Sequence, residues 1–193
     1  MSDLPDHVTR ATQESVEIAP YDASWPMWFE TECRHLRNLL PAGVIGRIEH
    51  FGSTAVPGLA GKPIIDMLVE VSSLADVRQI VAPILVREDY EYFWRPCCPG
   101  GVDIGYAWFI KRDADGRRTH HIHMLEKDSP DWERLLFRDY LIAHPEVAHE
   151  YAVLKQRIAA DFPGDRIAYA KAKTGFITRF TEAARLLRGG ERP

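Results

Sequence analysis

Residues 48–71 read IEHFGSTAVPGLAGKPIIDMLVEV, and this stretch decides the fold. Ile48 to Phe51 is a short, apolar-biased strand. Gly52-Ser53-Thr54 follows at once, and Pro57-Gly58 breaks the chain again. Ile64 to Val71 is nearly all apolar, the pattern of a strand covered on both sides. Asp66 and Glu70 are its only charges, and strand alternation puts them on one face. A buried carboxylate needs a partner, since desolvation costs several kcal/mol. A bound metal, or a basic group such as Lys62, would supply it. The Gly52-Ser53-Thr54 turn has the backbone N–H groups and hydroxyls that cradle phosphate.

Outward from this stretch, Ser15 to Ala19 alternates like a short edge strand. Trp25-Pro26 opens a helix reaching about Leu40, with Trp25, Trp28, Phe29, Glu32, Leu36 and Leu39 on one stripe. Val44 to Phe51 is the first core strand and Lys62 to Val71 the second. Ser72-Ser73 caps a helix from Leu74 to about Val86. Tyr90 to Arg95 is a strand and Cys97 to Gly101 a loop. Val102 to Arg112 and Arg117 to Leu125 form a hairpin around Asp113–Gly116. From Ser129-Pro130-Asp131 the pattern turns helical, with helices to about Ala143, from Pro145 to about Ala160, and from Asp165 to about Leu187. The division expected is a frayed segment 1–14, an α/β core 15–128, a helical part 129–187 of the same domain, and a tail 188–193. The fold class is α+β: a mixed β-sheet with packed helices and a helical C-terminal part.

The string EHFGSTAVPGLAGKPIIDMLV resembles the GrpB-like family, a branch of the DNA polymerase beta-like nucleotidyltransferases. So do PYDASWPMWFE, HHIHM, FRDYLIAHPEVAHEYAVLK and YAKAKTGFI, so the likeness runs from about Val16 to Phe180. The wider superfamily is marked by a Gly-Ser turn after one strand and an acid in the next, here Ser53 and Asp66, thirteen positions on. The resemblance implies a nucleotidyltransferase-like sheet and magnesium-dependent transfer of a nucleotidyl group from a nucleoside triphosphate to a small-molecule or protein acceptor. It implies that Gly52 and Ser53 hold phosphate and that Asp66 binds metal, and it favours supporting roles for Glu49 and His50. One departure is plain. The superfamily carries a second acid two residues after the first, and here that position is Leu68. Two residues along a strand is roughly 6.6 Å, so Glu70 is expected to miss a metal held by Asp66.

A later strand of the superfamily supplies a third acid. Here the corresponding strand offers His121 and His123, which alternation points to one face as a metal pair, with His120 on the other. Glu49 and His50 face opposite ways, and the sequence leaves open which enters the site. Lys62 is a solvated loop lysine, a phosphate contact or the partner of Asp66. Lys155 lies between Tyr151 and Ile158, and Lys173 interrupts the stripe Tyr169, Phe176, Phe180, Ala184, Leu187. Arg138 and Asp139 form or anchor an ion pair, with Asp139 placed toward a buried partner. Convergence of Lys62, Arg138, Lys155 and Lys173 on a cleft would suit a triphosphate. Lys111, at the hairpin end, reads as an inert surface residue.

Three classes of function remain open: a nucleotidyltransferase, a non-catalytic nucleotide- or phospholigand-binding module of the kind appended to some dephospho-CoA kinases, and a single-metal hydrolase using Asp66 with His121 or His123. A net charge of −4 argues against a dedicated nucleic-acid binder. Three cysteines, two of them adjacent, do not make a disulfide framework or a zinc site. No secretory signal or membrane span is read, so a cytoplasmic protein is expected.

Overall fold

The computed structural model describes residues 14–96 and 105–190. The loop with Cys97 and Cys98, the first residues expected of the following strand, and both chain ends lie outside them. The strands are β1 (Ile45–Phe51), β2 (Ile65–Val71), β3 (Glu91–Pro96), β4 (Gly105–Arg112) and β5 (Arg118–Glu126). The helices are α1 (Trp25–Leu39), α2 (Leu74–Asp76 and Ala82–Arg87 around a π segment, Val77–Val81), α3 (Arg134–Ala143), α4 (Pro145–Asp161), α5 (Arg166–Ala172) and α6 (Thr174–Gly190). The architecture is α+β, with a five-stranded mixed sheet and a helical C-terminal part. Among the described residues no helix is long and apolar enough to cross a membrane.

The chain clusters into two units. One comprises residues 23–55 and 64–132; the other comprises 14–22, 56–63 and 133–190.

In the first unit the sheet order is β1-β2-β5-β4-β3. Only β2 and β5 pair in parallel; the other neighbours are antiparallel. The mostly apolar sequence of β2 is explained by its place beside the centre, with Ile65, Met67, Leu68 and Val69 fully buried. Register fixes two faces. One carries His50, Met67, Ile122, Phe109 and Tyr92; the other carries Glu49, Phe51, Asp66, Leu68, His121, His123 and Trp108. On the first face α1 stacks Phe29 on His50 at 4.7 Å, and Arg78 of α2 lies 3.8 Å over the Trp94 ring. The Ser73 hydroxyl caps α2 by accepting from Ala75 and Asp76 N–H.

Glu32, which the helical stripe places inward, is only 2% exposed. It is tolerated because Tyr90 donates its hydroxyl proton to Oε1 and Lys111 brings its ammonium within 2.5 Å of Oε2. Lys111 is therefore not the inert hairpin residue expected. Burial, the Glu32 charge and the hydrogen bond to Glu32 all push the Tyr90 phenol up from its ordinary value. Burial, and next the Glu30 carboxylate, push the Cys33 thiol up to about 12.

In the second unit, residues 15–19 form no extended strand. Ala19 makes a single antiparallel bridge to Gly61, with N–H···O distances of 2.9 and 3.0 Å. Val56 and Leu59 pack with Leu141, Val147, Tyr151 and Phe180. Val16 packs with Ile158 and Tyr169. The helix expected from about 165 to 187 is two helices, broken at Lys173. Asp165 caps the first by accepting from Ile167 and Ala168 N–H.

Candidate metal centre

Strand alternation and one parallel register build this site. Asp66 pairs with His121 and Leu68 with His123 across β2 and β5, so the carboxylate and both imidazoles share a face. His121 Nδ1 lies 3.0 Å from Asp66 Oδ1. One donor atom each from Asp66, His121 and His123 falls within 4.8 Å of the others. The Asp66 side chain is 25% exposed and that of His121 8%, so the carboxylate is the group that solvent reaches.

The Gly-Ser turn lies against this carboxylate. Gly52 has φ +74°, and a Cβ there would sit 2.4 Å from Asp66 Oδ2. Only glycine serves both the left-handed backbone and the close approach. Residues Ser53–Ala55 then form one 3₁₀ turn. His123 is walled by aromatic rings: Phe51 at 5.3 Å, Tyr106 at 5.3 Å and Trp108 at 6.0 Å. Trp108 also meets His121 edge-on at 5.2 Å.

Arg118 joins the site although nothing in the sequence singled it out. Its side chain is buried, and Nη1 lies 3.4 Å from His121 Nε2. Guanidinium only donates, so Nε2 accepts and the imidazole proton sits on Nδ1, donated to Asp66. A register shift between Lys111 and Arg112, where Arg112 pairs with Arg118, breaks strict alternation and turns Arg118 toward His121.

Several candidates take other places. Glu49 shares the face of Asp66, whereas His50 is on the helix-covered face and reaches the turn from behind. His50 Nε2 donates to Thr54 Oγ1 at 2.9 Å, and that hydroxyl donates to Ile64 O at 3.3 Å. Thr54, 1% exposed, therefore ties the turn to the start of β2 through its hydroxyl. Glu70 falls outside the metal-competent triad. It packs where a Cβ on Gly46 would meet its Oε1 at 3.1 Å.

The remaining basic candidates belong to the helical unit. Lys155 is 1% exposed and donates to Ala60 O, with its ammonium 4.7 Å over Tyr151. It anchors the 56–63 loop to α4. Lys173 and Lys62 converge on one ring, their ammonium nitrogens 4.4 and 5.8 Å from the Tyr169 centroid. Arg138 pairs with its neighbour Asp139 at 2.7 Å, and Arg188 reaches the same carboxylate at 3.0 Å. Asp139 is thus a half-buried ion-pair centre with arginine partners.

The donor set can be tested against the magnesium that the resemblance implies. Magnesium takes near-octahedral oxygen ligands and keeps several waters. Two imidazoles and one carboxylate do not fit that demand, and the second-acid position is filled by the fully buried Leu68.

The model of the GrpB protein family matches residues 15–183. The chain belongs to the GrpB family. Among its GrpB relatives is the UPF0157 protein YqkA of Bacillus subtilis, 38% identical over 92% of this chain; the chain spans 50% of YqkA's length. The crystal structure of the conserved protein GrpB from Enterococcus faecalis superimposes with a TM-score of 0.73 at 32% identity, covering 87% of this chain and 96% of that one. A dephospho-CoA kinase of Mycolicibacterium paratuberculosis is 26% identical over 82% of this chain, which spans 43% of that protein.

Proposed function

We propose that this GrpB-family chain is a single-metal hydrolase of a phosphate-bearing substrate of the nucleotide class, built on the nucleotidyltransferase plan. The observation that carries the reading is the convergence of Asp66, His121 and His123 beside the Gly52-Ser53 turn, with Leu68 where a second metal would need an acid. Asp66, His121 and His123 would hold one dication, which would supply Lewis-acid polarisation and a water of lowered pKa.

The rest is done by the chain. Gly52 leaves room for the Asp66 carboxylate, and Ser53 opens the 3₁₀ turn beside it as the phosphate-facing element. The rings of Phe51, Tyr106 and Trp108 exclude water around His123, which strengthens every charge interaction there. Arg118 holds a permanent positive charge beside His121, suited to phosphate oxygens. In the overall reaction a P–O bond breaks, water supplies oxygen to phosphorus, and the departing oxygen takes up a proton.

Nucleotidyl transfer is the second reading, and the Gly52-Ser53 turn against Asp66 favours it. A two-magnesium form has less support, for the reasons of donor chemistry given above. The third reading, a phospholigand-binding accessory module, draws on the dephospho-CoA kinase that contains a similar segment. Incubation with ATP or GTP and a series of dications in ¹⁸O-labelled water separates them. Label in the phosphate product supports hydrolysis. Pyrophosphate release with the nucleotidyl group on an acceptor replaces it with transfer. Nucleotide binding without turnover replaces it with the module.

A further inference from the structure

The chemistry of the donor set goes further than the presence of a metal. Imidazole nitrogen suits zinc, iron, cobalt, nickel and copper, whereas magnesium prefers oxygen. Here two of three donors are imidazoles, both buried, and walled by Phe51, Tyr106 and Trp108. Among the described residues the ligand group holds a single carboxylate, that of Asp66. His121 Nδ1 and Asp66 Oδ1 lie 3.0 Å apart, a separation that two ligands at about a right angle on one ion, with bonds of about 2.0–2.2 Å, would span.

The tautomer carries a second consequence. His121 holds its proton on Nδ1 because Arg118 donates to Nε2. An ion bound through Nδ1 takes the proton's place, and the neutral ring must then carry hydrogen on Nε2. Nε2–H and the guanidinium N–H groups are both donors and cannot bond to each other. Arg118 therefore has to leave His121 when the ion arrives.

We propose that Asp66, His121 and His123 bind a borderline first-row dication of the zinc, cobalt or iron(II) class in preference to magnesium, displacing Arg118 from His121. No longer donating to His121, Arg118 turns that N–H toward an anionic ligand, so metal loading and phosphate binding are coupled. The proposal rests on reading the three residues as one ligand set, and its test uses no nucleotide.

The experiment is titration of the metal-stripped full chain with Co²⁺, Zn²⁺ and Mg²⁺ by calorimetry, with the visible spectrum of the Co²⁺ form recorded. The expected result is one Co²⁺ per chain with intense ligand-field bands, and Mg²⁺ weaker by more than about tenfold. His123→Gln and Asp66→Asn should each weaken Co²⁺ by about ten- to a hundredfold and change the spectrum. Arg118→Leu should tighten Co²⁺ because a competing cation is gone, and circular dichroism confirms that each variant is folded. Inorganic phosphate should bind the Co²⁺ form more tightly than the stripped form, and Arg118→Leu should abolish that difference.

Equal or tighter binding of Mg²⁺, or a Co²⁺ spectrum indifferent to both ligand substitutions, overturns the metal assignment. Weaker Co²⁺ binding by folded Arg118→Leu overturns the displacement. Co²⁺ binding as described with no turnover of any nucleotide sinks the hydrolase reading and leaves this inference standing.

Discussion

Substituting Gly52 by alanine tests the core of the site in a single methyl group. Two costs add. Alanine at φ +74° enters the left-handed region, at about 1–2 kcal/mol. The new Cβ would also lie 2.4 Å from Asp66 Oδ2 and 3.1 Å from its Cβ and Cγ, so the carboxylate must rotate away. That rotation loses the 3.0 Å bond from His121, a charge-assisted bond worth about 1.5–3 kcal/mol, and toward the low end here because the Asp66 carboxylate keeps some solvent. The total is about 2.5–4 kcal/mol. Gly43→Ala is the internal control: φ is +81° and nothing lies within 4 Å of its Cβ, so only the backbone cost of about 1–2 kcal/mol applies. For a chain of this length each kcal/mol moves the melting temperature by about 2–4 °C. Gly52→Ala should therefore melt about 3–8 °C below Gly43→Ala, and it alone should lose Co²⁺ affinity. Equal melting temperatures for the two variants, with unchanged metal binding, would refute the claim that this glycine seats the Asp66 carboxylate.

Other outcomes follow from groups away from the metal. The Tyr90 phenol is raised in the folded state, so above about pH 10 the unfolded chain loses this proton first. Stability present below pH 10 should thus fall as pH rises, and urea titrations at pH 8 to 11 should show a flatter alkaline limb for Tyr90→Phe. Lys111→Met removes the ammonium from buried Glu32 and should cost about 1–3 kcal/mol by the same titration at pH 7; a neutral effect would mean that Tyr90 alone satisfies the carboxylate. Lys155→Met should destabilise the chain by about 1–3 kcal/mol through loss of the charged donor to Ala60 O. A stabilised variant would instead show that desolvation of the buried ammonium dominates. Cys33, buried and with its thiol pushed up to about 12, should resist a thiol reagent at pH 8 until denaturant is added, as followed by mass spectrometry after digestion.

What could be read from the sequence was whatever period and local chemistry determine. Alternation sufficed to set Asp66 on one face of β2 and His121 with His123 on one face of β5. That the two strands are neighbours, parallel and in register is a long-range fact with no local signal. Glu32 looked like a blemish on an apolar stripe because its partners, Tyr90 and Lys111, are 58 and 79 residues away. Arg118 was invisible because its direction depends on the irregularity opposite Arg112. The stripe through Tyr169, Lys173 and Phe176 suggested one helix, yet the chain breaks there. The Thr174-Gly175 pair, two weak helix formers, was the available signal and was outweighed by the periodicity. The bonds of Thr54 were illegible for a related reason: a hydroxyl in a Gly-Ser-Thr turn looks the same whether it faces phosphate or the Ile64 carbonyl.

The parallel pairing of β2 with β5 has a kinetic meaning. Asp66 and His121 are 55 residues apart in the chain, and the helix, the third strand and the fourth strand all intervene. Contacts of this range form late, after shorter loops have closed. The hairpin of β4 and β5 can assemble by itself, but the triad exists only once β2 has docked along it. The ion proposed for Asp66, His121 and His123 would bridge the two strands as a reversible crosslink. A permanent link closing a loop of that length would restrict the unfolded chain by about 4 kcal/mol. If such a clasp forms only after the transition state, it should leave the folding rate unchanged and slow unfolding instead.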